Sequence, residues 1–147
     1  MPASTARTVR TDSGLASALA VSIGRLSRRL RQERDSELTA TQLSALGTLR
    51  LHGPLTLGAL AAYERVQPPS MTRTVNCLVD NAMVRREPHP SDGRQIVLHL
   101  SDEGRSLLET ERRRRDAWLA QRLRGLDADQ RDLLRRAAPL LEALAQS

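Results

Sequence analysis

The chain has 147 residues and a formal net charge of +6, and all 23 basic residues are arginine. This length supports one domain with its own apolar core. The single cysteine, Cys77, excludes a disulfide framework within the chain, and no run reaches the ~20 apolar residues of a membrane span or the pattern of a signal peptide, which points to the cytoplasm. The basic excess calls for an acidic partner, either nucleic acid or an anionic membrane. Tyr63 and Trp118 are the only aromatics, so the core must be Leu, Ala and Val, which suits packed helices. The same scarcity excludes the stacking platforms of RNA-binding sheets and single-strand grooves.

Residues 1–12 are small, polar and unpatterned, and predict a disordered arm. Leu15, Leu19, Ile23, Leu26 and Leu30 then recur at helical spacing, opposite Arg25, Arg28, Arg29 and Arg31, and predict a helix ending near Arg34. A second helix starts after Thr39 or Thr41 as cap, carries Leu43, Leu46 and Leu49, and stops at His52-Gly53-Pro54. A third follows Thr56, with Leu57, Leu60 and Ala61 at i, i+3 and i+4.

Pro68 and Pro69 fit only the opening positions of a helix, so the turn before them spans Arg65–Gln67. Beyond them Met71, Val75, Leu78 and Ala82 form an apolar stripe. Pro69, Arg73, Asn76 and Asp80 fall on the opposite face, with Ser70 and Cys77 at its edge. Two short helices joined by a three-residue turn describe a helix-turn-helix.

Val84–Glu87 and Gln95–Leu100 read as strands, the second alternating Ile96, Leu98 and Leu100 with Gln95, Val97 and His99. Between them Pro88 and Pro90 forbid regular pairing and Asp92-Gly93 supports a tight turn. Ser101 caps a helix running to about Arg124, with Asp102 and Glu103 set against its N-terminal dipole. Its middle, ETERRRRD, places Glu109, Glu111 and Asp116 for i,i+4 pairs with Arg113, Arg115 and Arg112, a solvated spacer rather than a nucleic-acid patch. Gly125 ends it. Asp127 or Asp129 opens a last helix carrying Leu133, Leu134, Ala137, Leu140, Leu141 and Leu144, which Pro139 should interrupt and kink.

This order is a winged helix between terminal helices, with HPSDGR as the wing tip. Residues 68–104, PPSMTRTVNCLVDNAMVRREPHPSDGRQIVLHLSDEG, resemble the MarR family of bacterial transcription regulators. Its DxRxxxLxLTxxG pattern is met by Asp92, Arg94, Leu98, Leu100, Ser101 (for Thr) and Gly104, and length and element order agree over residues 15–145. The resemblance implies a mainly α (α+β) fold: a winged helix-turn-helix with a two-stranded wing at about 39–104, and dimerisation helices at about 13–34 and 105–147. It implies an obligate homodimer on a pseudo-palindromic double-stranded DNA operator, acting as a repressor. Leu15, Leu19, Ile23, Leu123, Leu133, Leu140, Leu141 and Leu144 would form the dimer interface, and Leu-rich terminal helices with little else to cover them independently need a partner surface.

The resemblance also places Arg94 in the minor groove with Asp92 holding its guanidinium, where a narrow groove concentrates negative potential. It assigns recognition contacts to Gln67, Pro69, Ser70, Thr72, Arg73 and Asn76. Arg73 could pair bidentately with guanine and Asn76 with adenine. Thr41 and Thr56, at helix starts, suit phosphates. Arg85 and Arg86, flanking the wing, serve either phosphate contact or solubility. Glu64 and Arg65 stand where the family usually has an apolar residue and Gly, so either Arg65 takes a left-handed backbone or the turn has another shape. Small, often anionic aromatic ligands release DNA in the family, and Trp118 lies near the candidate pocket.

No GxSxG, HExxH, P-loop or GxGxxG motif is present, so nothing indicates an enzyme or a cofactor. His52, His89 and His99 lack zinc spacing, and Cys77 reads as a small buried thiol. The alternative function, a winged-helix module for protein interaction, is disfavoured by the Arg on the recognition helix and wing.

Overall fold

The computed structural model describes residues 9–147; residues 1–8 of the expected arm lie outside the described residues, and its end is ordered instead, with Thr11 capping and Asp12 opening the first helix. The elements are α1 (Asp12–Gln32), α2 (Ala40–His52), β1 (Leu55–Thr56), α3 (Leu57–Glu64), α4 (Pro68–Asp80), β2 (Val84–Pro88), β3 (Ile96–Leu100), α5 (Asp102–Leu123) and α6 (Ala128–Gln146). They divide into two compact units, one of residues 35–113 and one of residues 9–34 with 114–147.

Short polar side chains define the helix starts by satisfying backbone donors that no preceding turn can reach. Thr11 caps α1 by accepting from Gly14 N, and Thr56 caps α3 by accepting from Ala59 N. Of the alternatives open in the sequence, Thr39 caps α2 and Asp127 caps α6. Each forms a reciprocal capping box, with Gln42 and Gln130 respectively. Helix α4 has no side-chain cap, and its first two residues, Pro68 and Pro69, have no N–H to satisfy.

The core of the 35–113 unit is Ala45, Leu46 and Leu49 from α2, Leu60 and Ala61 from α3, Met71, Val75 and Leu78 from α4, and Val84 and Leu98 from the sheet. The sheet is antiparallel in the order β1-β3-β2. Strand β1, only two residues, pairs Leu55 with Leu98 and Thr56 with Val97. It is too short to show a period, so nothing in the sequence marked it.

Around the sheet, three expectations are corrected. Ala82 does not continue the apolar stripe of α4: the helix ends at Asp80, and Ala82 is exposed with a φ of 60°. Pro88 belongs to β2, paired with Ile96; as the last residue of an edge strand, it removes no hydrogen bond the sheet needs. Strand β3 does not alternate cleanly. Only Leu98 is buried and Ile96 is exposed, because β3 runs out beyond the core towards the wing tip.

At the start of α5, Ser101 Oγ accepts from Gly104 N at 3.0 Å and donates to Ala82 O at 2.6 Å, while Ser101 N donates to Met83 O at 3.0 Å. The wing therefore closes onto the end of α4 through one small buried residue. Glu111 does not follow the expected i,i+4 pairing with Arg115. Its Oε1 accepts from Ser36 N at 2.9 Å and Asp35 N at 3.4 Å, a donor pair no local spacing rule could reveal. Glu109 does pair with Arg113, at 3.4 Å.

In the other unit neither α1 nor α6 contains a buried residue. Leu15, Val21, Ile23, Leu26, Leu133, Leu134, Leu140, Leu141 and Leu144 are each at least 38 % exposed. Helix α6 continues through Pro139 rather than being interrupted, although that ring withholds the N–H that Arg135 O would accept.

Candidate nucleic-acid interface

Helices α3 and α4 form the helix-turn-helix, and the turn between them depends on Arg65. Its backbone is left-handed, φ 54° and ψ 43°, with Arg65 N donating to Ala62 O and Val66 N to Ala61 O. This is a Schellman turn with arginine where glycine is usual. It settles the two alternatives left open by the sequence in favour of the left-handed backbone. Glu64 is a cross-tie between α3 and α2. Its two carboxylate oxygens accept from Ser44 Oγ and Thr48 Oγ1 of α2, each at 2.9 Å. Only the fold could reveal that partnership, since Ser44 and Thr48 are 20 and 16 residues away in the chain.

Burial of Met71, Val75 and Leu78 turns the opposite face of α4 outward. Gln67, Pro69, Thr72, Arg73 and Asn76 are exposed along it, with Ser70 partly covered. Cys77 is exposed on the same helix, which corrects the expectation of a buried thiol; one position short of Leu78, it falls outside the packed stripe. Thr72 Oγ1 donates to Pro68 O at 3.0 Å, so its oxygen is left to act as an acceptor. Thr41 is exposed in the first turn of α2. Thr56 Oγ1 accepts from Ala59 N at 3.2 Å, and its hydroxyl proton remains available to an anion.

The wing is the β2–β3 hairpin. Its tip closes through Gln95 N donating to Asp92 O and His89 N donating to Gln95 O, both at 3.0 Å. His89 Nδ1 accepts from the backbone N–H groups of Ser91 and Asp92 at 3.2 Å. Asp92 Oδ1 accepts from Arg94 N at 3.1 Å, so the aspartate organises the backbone that carries Arg94 rather than holding its guanidinium. Both side chains are exposed at the tip.

Arg85 and Arg86, adjacent in the sequence, are separated by the pleat. Arg85 stands opposite His99 and joins an outer group in which Arg85 lies 3.4 Å and His99 3.1 Å from the Glu87 carboxylate. Arg86 stands opposite buried Leu98, two residues from buried Val84, so it leaves the sheet on the core-facing side. Its guanidinium donates to Asn76 Oδ1 on α4.

In the other unit, the guanidinium groups of Arg29 and Arg122 lie 4.8 and 4.9 Å from the centroid of the Trp118 ring. The indole Nε1 is buried and without a hydrogen-bond partner.

A helix pair with an outward polar face, followed by a hairpin ending in an exposed arginine, defines a winged helix-turn-helix. The MarR family model matches residues 38–96. An HTH-type transcriptional regulator of Mycobacterium tuberculosis is 49 % identical over 135 residues, covering 91 % of this chain and 94 % of that protein. A solved transcriptional regulator from Pseudomonas aeruginosa is 34 % identical with a TM-score of 0.85, covering 94 % of this chain and 98 % of that one. MepR from S. aureus, solved bound to an oligodeoxyribonucleotide, shares the fold at 18 % identity and a TM-score of 0.69, covering 90 % and 96 % of the two chains. The chain belongs to the MarR family of HTH-type transcriptional regulators.

Proposed function

We propose that this regulator acts as a homodimer that binds a pseudo-palindromic double-stranded DNA operator and represses transcription in the cytoplasm. The carrying observation is the exposed face of α4, with Gln67, Pro69, Thr72, Arg73 and Asn76, in the same unit as a wing tip that presents Arg94. Arg73 and Asn76 read base edges in the major groove, Ser70 lies beside them, and Arg94 enters the minor groove on a tip organised by Asp92. Thr41 and Thr56 contact phosphates together with backbone N–H groups at their helix starts. The winged unit is the DNA-reading part and the terminal helices are the dimerisation part.

Two features favour these finer points. The net charge of +6 suits a polyanion. The exposed leucines of α1 and α6, among them Leu15, Leu133, Leu140, Leu141 and Leu144, exceed what an isolated monomer usually leaves in water. Leu19, Ile23 and Leu123 add to the same interface.

Selection of bound duplexes from a random library tests this reading, followed by titration on the recovered operator. Arg94→Ala is expected to weaken binding by ~1–3 kcal/mol, most on sites with A/T-rich flanks. Arg73→Ala is expected to relax preference at one symmetric pair of positions. Binding without a steep salt dependence, or recovery of no preferred sequence, overturns the assignment and leaves a protein-interaction module.

A further inference from the structure

We propose that Arg86 is a specificity-determining positioning residue: from the wing strand it fixes the amide orientation of Asn76 and so decides which base edges α4 can read. The inference rests on the DNA-reading role given to α4 above.

An asparagine amide offers an oxygen with two acceptor lone pairs at one end and two N–H donors at the other, and a free side chain can present either end to a base. Here that freedom is removed. Arg86 emerges on the core-facing side of β2, and its guanidinium donates to Asn76 Oδ1. A guanidinium has only donors, so it can hold the oxygen end of the amide and never the nitrogen end. The Nδ2 donors of Asn76 are then the part left to face a ligand.

In the major groove, those donors match acceptors: N7 and O6 of guanine, O4 of thymine, or N7 of adenine. Cytosine presents an amino donor there and is the base they reject. The bidentate adenine contact expected from asparagine alone needs the second lone pair of Oδ1 to accept from the adenine amino group, on an oxygen already shared with the cationic Arg86, whereas a donor-only contact to guanine or thymine leaves the tether undisturbed. The tether thus shifts preference at this position towards guanine and thymine. Because the pair joins β2 to α4, it also makes the wing and the recognition helix read as one piece. Arg85 takes no part, being engaged with Glu87 on the other face of the strand.

The competing role for Arg86 is a phosphate contact, and the two separate cleanly. The full-length protein is titrated against the duplex it selects from a random library, against variants at each position, and against random duplex. For Arg86→Ala, tether loss is expected to weaken operator binding about tenfold and relax preference at one symmetric pair of positions. Random DNA binding and the salt slope should change little. Asn76→Ala should alter the same positions, and the double variant should be no weaker than Asn76→Ala alone. Arg86→Met, which keeps the apolar stem but no donor, should reproduce Arg86→Ala, and thermal melting of each variant checks that the fold is kept.

Equal losses on operator and random DNA, with the salt slope reduced by about one, identify a phosphate contact and overturn the proposal. Additive losses in the double variant, or an unchanged preference in Arg86→Ala, overturn it as well. A wild-type protein that selects no sequence removes the DNA-reading role itself, and this outcome is recognised before any variant is made.

Discussion

Arg65, which ends α3, and Ala82, just beyond the end of α4, both take a left-handed backbone, with φ of 54° and 60°. After α4, Met83 N donates to Leu78 O and Ala82 N to Val79 O, the same Schellman pattern that Arg65 makes after α3. A Cβ in that region crowds the following carbonyl, which glycine avoids. Arg65→Gly and Ala82→Gly are each expected to stabilise the protein by about 0.5–1 kcal/mol, reduced from the full steric relief by the greater freedom of glycine when unfolded. The opposite sign holds at Gly104, where an added Cβ would lie 2.4 Å from Met83 O and 2.7 Å from a Leu100 methyl. Gly104→Ala should therefore cost ~1–3 kcal/mol. Urea unfolding of the three variants measures all the shifts, and a destabilised Arg65→Gly together with a neutral Gly104→Ala would contradict this account.

At the scale of the element, the wing is held mainly by its own turn, not by burial. Asp92 orders it through Arg94 N, and His89 through the amides of Ser91 and Asp92. Exposed hydrogen bonds of this kind contribute little to global stability but decide where an exposed side chain points. Asp92→Ala should leave the melting temperature within about 2 °C of wild type, because an exposed change usually stays within ~0.5 kcal/mol. Operator binding should still weaken, by less than for Arg94→Ala, since the guanidinium remains on a looser tip. Calorimetry and DNA titration on the same samples check this. A drop in melting temperature that matches the loss of binding would make Asp92 a folding residue instead.

For the whole molecule, the two units differ in how they are held. Residues 35–113 enclose a buried core, whereas α1 and α6 bury no residue at all. Removing 127–147 is expected to abolish the dimer and operator binding while the winged unit keeps its helical signal. Sedimentation of the truncated protein reads this directly, and a persistent dimer would move the interface elsewhere. Trp118 is flanked by the guanidinium groups of Arg122 and of Arg29, the latter also paired with Glu33. A salicylate-like ligand acting there should change the emission of this single tryptophan and weaken operator affinity over one concentration range, to an extent of ~1–3 kcal/mol. Emission that changes while operator affinity stays constant would make such binding incidental.

Sequence alone determined much of what depends on neighbours along the chain, although it left the cap of α2 and the turn at Arg65 open. Helical spacing located α1 and the stripe Met71, Val75 and Leu78, Pro68-Pro69 set the start of α4, and Asp92-Gly93 set the wing turn. The motif from Asp92 to Gly104 marked the family, because the left-to-right order of turn, strand and helix start is itself a local pattern. Tertiary structure alone decided which polar groups meet across it. Nothing local joins Glu64 to Ser44 and Thr48, Glu111 to the amides of 35 and 36, or Arg86 to Asn76. Hydrophobic periodicity is repeated along the longer helices and survives the misplacing of a single residue at a helix end, as at Ala82. A polar contact is made once, between residues brought together only after the core has packed, so its partners are fixed by three-dimensional proximity and leave no periodic trace in the chain.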